Sequence, residues 1–180
     1  MSRTRRSVAL RLSAATAAAV VLSVGSAQAA PPKAAASVVC TGQQTQTYAP
    51  PLGPLPKPTV VSLDEDLTCV GGPFLTGHGT GTFIQQSSCL LPPPESTVLP
   101  LYSITYQWSN GQHSTITYTV TAVVQAGNQN VVTATGTVTS GYAQGSVVER
   151  QVTTLDLDVL SCLASNVDEQ NGSEILTLLL

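Results

Sequence analysis

From residue 38 to the C-terminal end, apolar and polar positions alternate, and β-branched residues dominate the pattern. A period of two marks strands that bury one face, and no convincing 3.6-residue period of an amphipathic helix occurs in this part of the chain. The alternation predicts strands at about 38–48, 59–70, 78–89, 101–109, 112–125, 130–140, 146–160 and 173–180. Turn residues separate them: VGGP at 70–73, LPPPES at 91–96, SNG at 109–111, AGNQ at 126–129, SGYAQG at 140–145 and NGS at 171–173. In APPLGPLPKP, 49–58, the proline density removes ladder donors and predicts a loop or a polyproline connection. Long strands with short connections make antiparallel neighbours. The expected fold class is all-β, an antiparallel meander of about eight strands closing as a barrel or as a two-sheet sandwich. The terminal ILTLLL, 175–180, reads as a closing strand that pairs with the first strand or its neighbour.

One hairpin constrains its own register. A two-residue Asn110-Gly111 turn would set Ile104 and Tyr106 beside threonines. A three-residue turn over 109–111, with Gly111 left-handed, pairs 104 with 116 and 102 with 118, so that apolar meets apolar. The second turn is the expected one. It sends Ile116, Tyr118, Val120, Ala122 and Val124 to the core and Thr115, Thr117, Thr119 and Thr121 outward. The next strand then turns Val132, Ala134, Gly136 and Val138 inward and Thr133, Thr135, Thr137 and Thr139 outward. Adjacent threonine rows can meet a repetitive surface such as ice or a polysaccharide. They are also the ordinary wet face of an antiparallel sheet, which is the reading preferred here.

The first residues carry processing information. Arg3, Arg5, Arg6 and Arg11 precede an uncharged run from Leu12 to Val24 and the small-residue motif AQA at 27–29, the layout of a secretory signal peptide over 1–29. The apolar run falls short of the roughly 20 residues a span needs, so no membrane span is expected in the mature chain. Residues 30–37 read as a flexible leader and 38–180 as a single β domain. Cleavage after Ala29 takes four of the five arginines away. Lys33, Lys57 and Arg150 then face ten acidic residues, a formal charge of −7 that argues against a nucleic-acid partner. Cys40, Cys69, Cys89 and Cys162 all lie in the mature part, and an even count in an exported chain predicts two disulfides. Folding the first two strands about positions 54–55 sets Cys40 opposite Cys69, which leaves Cys89 for Cys162.

Candidate chemistry is sparse. Trp108, with Tyr106 and Tyr102 behind it, could stack on a sugar ring or anchor a protein. The preferred register turns Tyr102, Ile104 and Tyr106 inward and makes Trp108 a cap on one end of the core. The hairpin tip at Trp108, Asn110, Gln112 and His113 is the candidate binding site. His78, in GHGTG, and His113 have no nucleophile motif around them, so no catalytic residue is assigned and the chain is read as a non-enzyme. The glycines of that segment suit close strand packing. Acidic pairs occur in DED at 64–66 and DLD at 156–158. Asp156 and Asp158, two apart on a strand, would share a face that could take calcium, but a charged sheet edge explains them with less, and neither a metal nor a cofactor is assigned.

Taken together, VVCTGQQTQTYAPPL, GTGTF, SSCL, ITYQWSNGQHSTITYT, ATGTVTSGYAQG and the LDVLSCL to LTLLL ending resemble a group of small secreted proteins of actinomycetes. The resemblance implies secretion, two disulfides and a β fold, and it carries no activity with it. The expected function is that of a secreted non-catalytic β domain acting by binding, with a cell-wall polymer or an extracellular protein as partner. The alternative is a proteinaceous inhibitor of an extracellular enzyme, with LPPPESTVLP at 91–100 as its inhibitory loop.

Overall fold

The computed structural model describes residues 37–89, 101–165 and 167–180. The signal peptide expected over 1–29, the expected leader up to residue 36 and the inhibitory loop expected at 91–100 lie outside the described residues. Eight antiparallel strands follow one another around a closed barrel: β1 (Ser37–Leu52), β2 (Lys57–Val70), β3 (Thr76–Ser87), β4 (Tyr102–Trp108), β5 (His113–Ala126), β6 (Gln129–Gly141), β7 (Val147–Leu155) and β8 (Val167–Leu179). A short helix α1, Val159–Leu163, joins β7 to β8. The barrel alternative holds over the sandwich, because β8 pairs with both β7 and β1 and leaves no open edge.

Inward residues alternate with outward ones on each strand, and the interior is filled by side chains, as an eight-stranded barrel allows. Ile104, Ile116, Leu176, Leu178, Val38 and Val61 are buried there. Thr117, Thr119, Thr135, Thr137 and Asp64 stand on the outside, the reverse of the apolar band that a membrane barrel turns to lipid.

The glycine run of β3 explains how the aromatic residues fit. A Cβ at Gly77 would lie 2.4 Å from the Trp108 ring, and one at Gly79 would lie 2.6 Å from the Tyr106 ring. The bare inner face of β3 is the space into which β4 leans. Trp108 stacks at 4.2 Å on Phe74 and at 5.3 Å on Tyr106, so the expected aromatic cap is present.

Cys40 stands opposite Cys69, and the bridges are Cys40–Cys69 and Cys89–Cys162, as expected. The hairpin adopts the three-residue turn, with Tyr102 opposite Tyr118, Ile104 opposite Ile116, and Gly111 at φ 84°.

Four details differ from the expected pattern. Ala122 and Val124 are exposed, because a bulge at Thr121 shifts the register between Val120 and Ala122 and moves the later residues to the other face. Strand β1 runs through Pro50 and Pro51 to Leu52, so the first connection is shorter than 49–58. NGS at 171–173 is not a turn but lies inside β8, where Gly172 sits close to Thr153 and Thr154 of β7. Strand β7 stops at Leu155, so Asp156 and Asp158 do not share a strand face. Asp158 instead caps α1, accepting from the Ser161 amide, and Asp156 accepts from Asn130 Nδ2.

Candidate functional site

The hairpin tip does not converge on one point. Trp108 is buried in the core and donates from Nε1 to Ser114 Oγ at 2.9 Å. Asn110 and Gln112 are exposed and satisfy one another: Asn110 Nδ2 donates to Gln112 Oε1, and the Gln112 amide donates to Asn110 Oδ1. His113 lies on the outer face opposite Gln107. The threonine rows also pair locally, Thr105 with Thr115 at 3.2 Å, while Ser103 meets Thr117 at 2.9 Å.

A polar cluster that sequence reasoning missed lies inside the barrel. Arg150 Nε donates to Glu174 Oε1 at 2.8 Å, Nη1 donates to Tyr102 OH at 3.2 Å, and Nη2 reaches both Glu65 Oε1 and Gln44 Oε1. Glu65 Oε2 accepts from Tyr106 OH at 2.8 Å, and that hydroxyl lies 3.2 Å from Tyr118 OH. Burial pushes Glu174 up to about 8; Arg150 pulls the other way, and the Glu65 carboxyl adds to the rise. Burial also disfavours the Arg150 charge, yet Glu65 and Glu174 hold it well above its ordinary value. For Tyr106 and Tyr118 burial raises the phenols well above theirs. The signal was available in the sequence: Glu65 is in phase with Leu63 and Leu67, Arg150 with Val148 and Val152, and Glu174 with Leu176 and Leu178.

On the outer face, Asp64 and Asp66 of β2 flank His78 of β3, with His78 Nδ1 at 3.2 Å from Asp66 and Nε2 at 3.7 Å from Asp64. His78 also lines a shallow hollow of about 370 Å³ with Asp66, Gln107 and Ser109.

The end of the barrel that carries α1 has a different character. The connection leaves β7 at Leu155, passes the β5–β6 turn through an Asp156 amide bond to Asn128 O at 2.9 Å, and enters α1. Buried Cys162 fixes the helix to Cys89, whose amide donates to Gly53 O in the β1–β2 turn. With Cys162 turned inward, Val159, Leu160 and Leu163 are left outward at 56, 75 and 57% exposure. Leu55, Leu101, Val124 and Leu155 are exposed at the same end by the strand directions. Seven of the fourteen large apolar side chains exposed on the described chain therefore lie toward this end, three of them on α1.

No family model, no curated protein and no solved structure matches this chain.

Proposed function

We propose that this chain is a secreted, non-catalytic β-barrel domain that binds an extracellular protein through its α1 end. The carrying observation is that α1, a helix held by a disulfide, turns Val159, Leu160 and Leu163 outward on a rim that also exposes Leu55, Leu101, Val124 and Leu155. Scattered apolar side chains on a surface need no explanation, but three on one short helix stand together, and grouped apolar side chains are what protein contacts use. The barrel wall and the Cys89–Cys162 bridge hold that rim in one shape before a partner arrives, which lowers the ordering cost of binding. Export supplies the setting: the signal-like first 29 residues and two disulfides both suit an oxidising compartment.

Inhibition of an extracellular enzyme is the specific form this binding could take. Cys89, joined to α1 by its bridge to Cys162, would then lie beside the contact, and an enzyme whose activity falls when it is retained would mark this form of binding.

The test is a pull-down with immobilised residues 30–180 against culture supernatant and cell-wall material, run beside a Leu160→Asp/Leu163→Asp variant. A supernatant protein retained by the parent chain and lost by the variant is the expected result. Retention of wall polymer alone, or retention that the variant does not change, overturns the reading.

A further inference from the structure

Among the described residues the barrel interior holds three buried charged side chains: Arg150 on β7, Glu65 on β2 and Glu174 on β8. One guanidinium cannot balance two ionised carboxylates, and an unpaired buried charge is among the most costly features a protein can contain. The hydrogen bonds show the same shortfall. Arg150 spends Nε on Glu174 Oε1 and Nη2 on Glu65 and Gln44, while Glu65 Oε2 receives Tyr106 OH. Glu174 Oε2 is buried and receives no N–H or hydroxyl donor of the described residues. Both carboxyls bond the same guanidinium, Glu174 through Nε and Glu65 through Nη2, so two ionised carboxylates would set like charges close together in the dry interior.

We propose that a single proton on Glu174 Oε2, donated to Glu65, is a structural member of the barrel, and that opening the β7–β8–β1 seam releases it. The fold is thereby tighter in acidic medium and looser in alkaline medium. One proton supplies the missing positive charge and gives the orphaned Oε2 a hydrogen-bonding role. The direction of the Glu174 shift, up to about 8 through burial, agrees with it.

The groups that face this pair leave no other proton carrier for that range. Tyr102 and Tyr106 on β4 and Tyr118 on β5 are raised by burial and stay protonated, and Arg150 on β7 stays charged. Gln44 on β1 does not titrate. Strands β3 and β6 present Gly79 and Gly136, whose missing side chains leave room for Tyr106 and Tyr118.

The sign follows from linkage. Folded Glu174 holds the proton up to about 8, whereas the opened chain loses it near the ordinary carboxyl value of about 4.3. Between these limits each pH unit favours the opened state about tenfold, and above the upper limit the effect levels off.

The test combines carboxyl NMR of a chain labelled in its glutamates with native-state hydrogen exchange of β8, corrected for intrinsic rates. Expected are one glutamate resonance titrating near the raised value and absent in Glu174→Gln, and a loss of β8 protection of roughly a hundredfold between pH 5.5 and 7.5 that the variant lacks. Both carboxyls found ionised at pH 6 would overturn the proposal and leave a buried water as the donor to Oε2. Equal pH dependence in parent and variant would overturn it too. If Glu174→Gln does not fold, the titration of the parent chain decides alone.

Discussion

Arg150 and Glu174 are diagonal neighbours on the inner face of β7 and β8, joined by a 2.8 Å bond from Nε to Oε1 deep in the barrel. With Nη1 and Nη2 the same guanidinium reaches β4, β2 and β1, so five of the eight strands meet at one side chain. Removing one member of a buried ionic group leaves its partners uncompensated, whereas replacing the whole group by neutral side chains does not. Arg150→Met is expected to lower unfolding free energy by about 3–5 kcal/mol. Arg150→Met/Glu65→Gln/Glu174→Gln should recover part of that loss. Urea titrations of the two variants check both statements, and a triple variant no more stable than the single one would count against an ionic origin.

Gly79 is a packing requirement rather than a turn residue. Its φ is ordinary, but an added Cβ would meet Tyr106 at 2.6 Å and Glu65 Oε2 at 3.1 Å. Gly79→Ala should therefore displace both members of the Tyr106 to Glu65 hydrogen bond and cost at least the 1–3 kcal/mol typical of overpacking, about as much as a lost buried bond again. Gly127→Ala, which meets nothing within 4 Å, has a positive φ of 64° and tests backbone strain alone. Thermal melts of both variants should place Gly79→Ala well below Gly127→Ala.

Trp108 and Asn110 separate structure from surface at the hairpin tip. Trp108 is 3% exposed, stacked on Phe74 and Tyr106, and bonded to Ser114. Trp108→Ala should cost about 3–5 kcal/mol, the range for emptying an aromatic core site. Asn110→Ala removes one exposed local pair and should stay within about 0.5 kcal/mol. Denaturation of the two variants checks the stabilities. The indole emission of the parent chain should be blue-shifted and should move to longer wavelength only on unfolding.

Much of the fold was legible because the interior repeats every second residue and register follows from it. Cys40 opposite Cys69, the Gly111 turn and the return of β8 to β1 all come from counting along that alternation. Counting fails where the chain inserts or reassigns a residue. Thr121 looks like its neighbours yet forms the bulge that exposes Ala122 and Val124, and no local property distinguishes it. NGS at 171–173 has turn composition but lies in a strand, because neighbouring β7 needs the space that Gly172 leaves. The buried cluster was hidden for a different reason. A charged residue at an inward position reads as an interruption until its partners, 24 and 85 residues away for Arg150, are brought beside it.

The α1 end allows stability and recognition to be tested independently. Cys89–Cys162 closes a separation of 73 residues and Cys40–Cys69 one of 29, so chain entropy alone makes the longer bridge worth slightly more, about 4.4 against 3.6 kcal/mol. Their positions differ more than their entropies. Cys40 and Cys69 join β1 to β2, which eleven register pairs already hold, whereas Cys162 fixes a five-residue helix that is too short to persist alone. Cys89→Ser/Cys162→Ser should therefore release α1 before the barrel unfolds: its amides exchange early while the strand amides stay protected. Cys40→Ser/Cys69→Ser should lower the global midpoint and leave α1 as protected as the rest. If the rim around Leu160 and Leu163 is the docking surface, the first variant loses the partner at temperatures where the barrel is intact, and the second keeps it. Hydrogen exchange together with the pull-down separates the two, and equal binding by both variants would remove α1 from the interface.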